Sequence, residues 1–127
     1  MPNITKDTER VIHQFNQAFL LHDPAQLESL IAPGCVLENT TNGPDGDRHV
    51  GRDACLAVWQ GIARNREGRF ELEETRVMDE HATIFWRYSW GAGAAESVRG
   101  VNLMRVRDGL IVEGRGYVKA AATGAVA

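Results

Sequence analysis

An Asp-Gly pair, Asp108-Gly109, separates two β-like runs, 96–106 and 110–119. This is the strongest short-range hairpin signal, because glycine supplies the positive φ that a twist-matched turn requires. Alternation along the first run collects Val98, Gly100, Asn102, Met104 and Val106 on one face and Ser97, Arg99, Val101, Leu103 and Arg105 on the other. A ribbon with one apolar face needs helices to cover it. Asn102 is the polar exception on that face. An unpaired buried amide costs about 1–3 kcal/mol, so Asn102 calls for a bonded partner, a water or a ligand.

Upstream, helical spacing of Val11, Phe15, Ala18, Phe19 and His22 predicts a helix over Lys6–His22, capped by Thr5 or Asp7. Asp23-Pro24 opens a second short helix with Leu27, Leu30 and Ile31 on its apolar side, and Pro33-Gly34 ends it. Cys35–Thr40 reads as a strand, with Leu37 and Asn39 on one face and Glu38 on the other. Turn residues fill 41–47. Arg52–Arg66 returns to helical period through Leu56, Trp59, Ile62 and Ala63. Strands over Arg69–Met78 and Ala82–Trp90 then lead to the terminal ribbon, and Ala120–Ala127 is expected to fray. The pattern is α+β: a curved antiparallel sheet wrapped around the N-terminal helices, forming a cone with an internal cavity suited to a small molecule.

At 127 residues and 43% hydrophobic content, the chain supports one domain with one core, spanning about 7–119. Its 14 basic and 17 acidic residues are interspersed, leaving no basic stripe for a nucleic-acid backbone. The N-terminal residues lack the basic and apolar regions of a secretory signal, and no apolar run approaches the about 18 residues needed to span a bilayer. A cytoplasmic protein with no membrane or nucleic-acid partner is the expectation. Cys35 and Cys55 are expected to be small buried hydrophobes rather than a disulfide. No His or Cys spacing suits a metal, and no phosphate cradle precedes a helix, so neither metal nor cofactor is expected.

The order of elements, the Asp23-Pro24 start, the Arg-His-Val-Gly-Arg-Asp-Ala run at 48–54 and the terminal hairpin together resemble the nuclear transport factor 2-like superfamily. Within it, the chain is most similar to the SnoaL-like and ketosteroid-isomerase-like branch. The resemblance implies a cystatin-like cone. By the isomerase pattern, Asn39 stands at the position of the aspartate base, Phe15 at that of the oxyanion-hole tyrosine, and Asn102 at that of the protonated aspartic acid. By the epoxide-hydrolase pattern, Arg87 is kept, Ser89 and Gly116 replace the two acids, Leu37 replaces a tyrosine, and Asn39 keeps a water-positioning role. Loss of these acids leaves two classes open: a small-molecule enzyme of the isomerase, cyclase, dehydratase or hydrolase type, or a non-catalytic binding or dimerisation module.

The expected catalytic set is Asn39, Asn102, Arg87 and His49, the last being the histidine of the loop before Arg52. Arg87 would serve as a buried cation for a ligand oxygen, or else pair with Glu74 or Glu38. Phe15, Leu37, Trp59, Phe85, Ser89, Met104 and Gly116 are expected to contact an apolar ligand. Thr83, Phe85, Arg87 and Ser89 alternate with Ile84, Trp86, Tyr88 and Trp90. The first set is expected to face the cavity, leaving Trp86, Tyr88 and Trp90 outside to bury against a second copy in a homodimer. The inverse assignment would put those rings in the pocket.

Overall fold

The computed structural model describes residues 3–40 and 45–119, so the expected fraying of 120–127 and residues 41–44 of the expected 41–47 loop lie outside the described residues. Helix α1 runs from Ile4 to Leu20. It starts before Lys6 because the Asn3 side chain accepts a hydrogen bond from the Lys6 amide at 3.1 Å. The expected caps are used elsewhere. Thr5 accepts from the Asp79 amide at 3.0 Å, and Asp7 pairs with Arg10 at 2.8 Å. The second helix is a single 3₁₀ turn, Pro24–Leu27, and Asp23 makes no side-chain bond to its backbone. Its carboxylate accepts instead from the Gln26 side chain at 3.2 Å.

Strand β1 is longer than expected, Ile31–Glu38, and passes through Pro33-Gly34 instead of starting after it. The pairing shifts register between Ile31 and Val36, and a bulge is one of the few sheet positions that tolerates a residue without an amide proton. A three-residue strand, β2 (Arg48–Val50), was too short to be legible from periodicity. Helix α2 spans Arg52–Arg64. The remaining strands are β3 (Arg69–Met78), β4 (His81–Ser89), β5 (Ser97–Arg107) and β6 (Leu110–Val118), close to their expected bounds.

These strands form one curved sheet in the order β2-β1-β6-β5-β4-β3, with the helices on its inner face. Every neighbouring pair is antiparallel except β1 with β6, which makes the sheet mixed. The terminal hairpin therefore lies in the middle of the sheet, not at its edge. Asp108 and Gly109 both have positive φ, 53° and 77°, as a twist-matched two-residue turn demands.

Register decides which side chains face the helices. Ile84, Asn102 and Gly116 form one inward row across β4, β5 and β6, while Phe85, Val101 and Tyr117 form an outward row. The faces of β4 are thus the reverse of the main expectation: Trp86 and Tyr88 are interior, and Phe85 and Arg87 are on the outer surface. The physical reason lies in facing glycines. A Cβ on Gly100 would fall 2.5 Å from the Trp86 ring, and one on Gly68 would fall 1.8 Å from the Tyr88 hydroxyl, so each aromatic fills space that a neighbour leaves vacant. Phe70 links them to the helices, with ring centroids 5.5 Å from Trp86, 4.7 Å from Tyr88 and 5.6 Å from Phe19.

Both cysteines are free and fully buried. Burial pushes the Cys35 thiol up to about 12, and the Cys55 thiol donates to the Cys35 carbonyl at 3.4 Å. No helix among the described residues is long and apolar enough to cross a membrane.

At the far end of the sheet, Glu80 accepts from Arg107 at 3.3 Å and Arg105 at 3.2 Å. The Arg107 hydrogen bond, seconded by Arg105, holds its carboxyl below the ordinary glutamate range. A carboxyl depressed in the folded state contributes stability that is full above the unfolded value and is lost as pH falls through the folded one. Glu80→Gln is accordingly expected to flatten the acid limb of unfolding free energy against pH, leaving the neutral limb with the same slope. A series of urea titrations from neutral to acid pH checks this.

Candidate functional site

The helices and the inner sheet face enclose a cavity of about 550 Å³. Its size falls within the range of small-molecule sites. Phe15 forms part of its wall, with its ring 5.2 Å from Trp59 and 4.9 Å from Phe19 between centroids. Trp59 reaches across from α2 onto the sheet at Gly114, where a Cβ would come within 2.8 Å of the indole. Leu37, Ile84 and Met104 extend the apolar lining.

Of the residues singled out from sequence, Phe15, Leu37, Asn39, Trp59, Asn102, Met104 and Gly116 border this cavity. Arg87, His49, Phe85 and Ser89 do not, which corrects their expected placement. Arg87 projects from the outer face and donates to the Ser97 hydroxyl at 2.9 Å. That half-exposed position relieves the desolvation that would otherwise demand a counterion, so neither Glu74 nor Glu38 serves as its partner. Phe85 is also outside, with the Arg76 guanidinium 5.3 Å from its ring centre. His49 sits opposite Leu37 in β2, and its carbonyl accepts from the Cys55 thiol at 3.5 Å. Ser89 borders a separate hollow at the end of β4.

The lining also holds residues outside the expected set, among them Trp86 and Tyr88, for the reason of inverted faces, Phe70, Ile84 and Asn16. Asn16 lies on the buried stripe of α1 beside Ile12, Phe15 and Phe19, and is only 9% exposed. Its amide makes no side-chain hydrogen bond among the described residues, yet it borders the cavity. The available signal was a polar residue one turn after Ile12 inside an apolar helical stripe.

Asn102 is oriented by its neighbour. The Trp86 indole nitrogen lies 3.1 Å from the Asn102 side-chain oxygen. An indole N–H can only donate, so the oxygen must face Trp86 and the amide nitrogen is left as a donor toward the cavity. Gly116 keeps that neighbourhood open: a Cβ there would meet Thr40 Cγ2 at 2.8 Å and the Asn102 oxygen at 3.3 Å. A carboxylate at this position would therefore need Thr40 to move. Asn39 completes the polar side of the cavity, held in place by its own backbone N–H donating to the Asp47 carbonyl at 2.8 Å.

The site thus offers amide donors in an apolar enclosure, which suits a carbonyl or hydroxyl oxygen on an otherwise greasy molecule. Glu38 and Glu71 border the cavity from positions whose register partners, Arg115 and Arg87, belong to the outer face. No cluster of three or more His, Cys, Asp or Glu side chains fit to hold a metal occurs among the described residues.

A family model described as the SnoaL-like domain matches residues 12–114. Among solved structures, an NTF2-like protein of unknown function from Mesorhizobium loti is 52% identical, with 94% of this chain and 97% of that chain covered at a TM-score of 0.86. A protein provisionally named a ketosteroid isomerase, from Kribbella flavida, is 15% identical, with 97% and 85% covered at a TM-score of 0.76. A provisional SnoaL-like polyketide cyclase from a Jannaschia species is also 15% identical, with 94% and 90% covered at a TM-score of 0.69. These two likenesses concern the fold. Comparison with curated proteins yields no match.

Proposed function

The chain belongs to the SnoaL-like domain family, and from that premise we propose that its cavity holds an apolar small molecule through a carbonyl oxygen bound by the Asn102 amide. One observation carries the reading: Trp86 engages the Asn102 oxygen, turning the amide donor toward an apolar enclosure of about 550 Å³. The names of two structural neighbours, a ketosteroid isomerase and a polyketide cyclase, both refer to ketone-bearing molecules and support the same ligand class. Asn16 supplies a second amide for a further polar group on the ligand, since its side chain borders the cavity and has no side-chain hydrogen bond among the described residues.

The test uses a naphthyl ketone whose emission reports polarity and whose carbonyl stretch reports hydrogen bonding. Saturable binding with a lowered carbonyl frequency is expected. Asn102→Leu should weaken binding about 10-fold, equivalent to about 1.4 kcal/mol, and return the carbonyl stretch toward its value in an apolar solvent. Equal affinity and an unmoved stretch in that variant would remove Asn102 from the reading.

A second reading, catalysis by the same site, requires Glu38, which borders the cavity but shares the outer row with Arg115, to turn its carboxylate over the rim toward the ligand. An amide-polarised ketone loses an α-proton more readily, and a carboxylate at the cavity edge is a base that would take it. Deuterium exchange at the α-carbon of the bound ketone, lost in Glu38→Gln, would support an isomerase- or cyclase-type enzyme. Binding without exchange in the unmodified protein would leave a ligand-holding module.

A further inference from the structure

A second hollow, of about 520 Å³, lies where the end of α1, the turn after α2 and the β4–β5 connection meet, bordered by His22, Arg66, Glu67, Arg69, Ser89 and Trp90. Ser89 is only 7% exposed, and its hydroxyl has no side-chain hydrogen bond among the described residues. No buried side-chain oxygen or nitrogen among the described residues lacks a partner, so this hydroxyl keeps surface open to the hollow and stands there as a donor.

The surroundings define what that is. Arg66 and Arg69 border the same space, and neither guanidinium makes an ion pair or side-chain hydrogen bond among the described residues. Glu67 is the acid that borders the hollow, and its carboxylate is likewise unpaired among the described residues, so two cations face one anion. His22 is committed: its Nδ1 lies 3.0 Å from the Ala63 carbonyl and must donate to it, which fixes the ring. Trp90, 49% exposed, presents an indole to the same space. Tyr88, which borders the main cavity, reaches Gly68 on the hollow's edge.

We propose that this hollow binds a small aromatic carboxylate, with the carboxylate on Arg66 and Arg69, the Ser89 hydroxyl donating to it, and the ring stacked on Trp90. Guanidinium groups match a carboxylate in plane and in charge, and an indole face suits a planar ring over an aliphatic one. The site is independent of the ketone site. It stands whether or not the main cavity binds a ligand.

Benzoate is the probe, titrated into the full chain and followed by the resolved indole N–H signals of the three tryptophans. The expected result is saturable movement of the Trp90 signal with Trp59 unmoved, and weaker binding of cyclohexanecarboxylate. Arg66→Ala combined with Arg69→Ala should reduce affinity about 10-fold or more, with unchanged Trp59 and Trp86 signals reporting an intact fold. Ser89→Ala should reduce it a few-fold. No saturable shift in the folded protein, benzoate moving Trp59 and Trp86 in place of Trp90, or full affinity in the double arginine variant would each overturn the proposal.

Discussion

Phe15→Ala is expected to lower the free energy of unfolding by about 3–5 kcal/mol, read as a shift of the urea midpoint at constant slope. The residue is 2% exposed and stands between Phe19 and Trp59, so truncation removes two aromatic contacts together with the buried ring. Relaxation into the gap is obstructed. Trp59 is braced against Gly114 on the sheet, and α1 is tied to the β3–β4 turn by the Thr8 hydroxyl donating to the Asp79 carbonyl at 2.6 Å. The space left behind would merge with the existing cavity, so the same variant should admit a bulkier ketone than the unmodified protein. A loss below about 1 kcal/mol would mean that Phe15 is not packed as described.

Gly100→Ala has the next largest expected effect, and it couples stability to the site. The added methyl would lie 2.5 Å from the Trp86 ring and 2.6 Å from the Tyr117 carbonyl oxygen. The indole has room to tilt, but the carbonyl belongs to the backbone of β6 and is held by the sheet ladder. Overpacking of this kind costs about 1–3 kcal/mol, and tilting Trp86 withdraws the donor that orients Asn102. Unfolding free energy and ketone affinity should therefore fall together. Gly34→Ala is the matched control, because nothing lies within 4 Å of a Cβ at that position. Were Gly100→Ala as silent as Gly34→Ala, the packing of Trp86 on β5 would be wrong.

Local chemistry made much of the fold legible. The Asp108-Gly109 turn needed only two residues of positive φ, and the long strands β3, β4 and β5 needed only their own alternation. Features that depend on a partner were not legible in this way. Asn3 rather than Thr5 caps α1 because Thr5 is engaged by Asp79, 74 positions away in the chain. Strand β1 runs through Pro33-Gly34 because the irregular pairing with β6 absorbs the missing amide.

The candidate site divides along the same line. Residue type and alternation already marked Asn102 as an amide on an apolar face, and resemblance to relatives marked Phe15, Asn39 and Gly116. Arg87 went to the wrong side because both faces of β4 carry large apolar residues, and a strand's period of two does not say which set turns inward. Gly100 and Gly68 settle it by leaving room for Trp86 and Tyr88.

The amino-acid order by itself determined the longer elements and the central hairpin, since each depends on neighbours a few positions apart, and resemblance to isomerase-like relatives marked an amide where they carry an acid. Only the tertiary structure decided that Trp86 lies inside, donates to that amide and aims its nitrogen at the cavity. That choice rests on the steric fit between strands and helices far apart in sequence, a property no local pattern encodes.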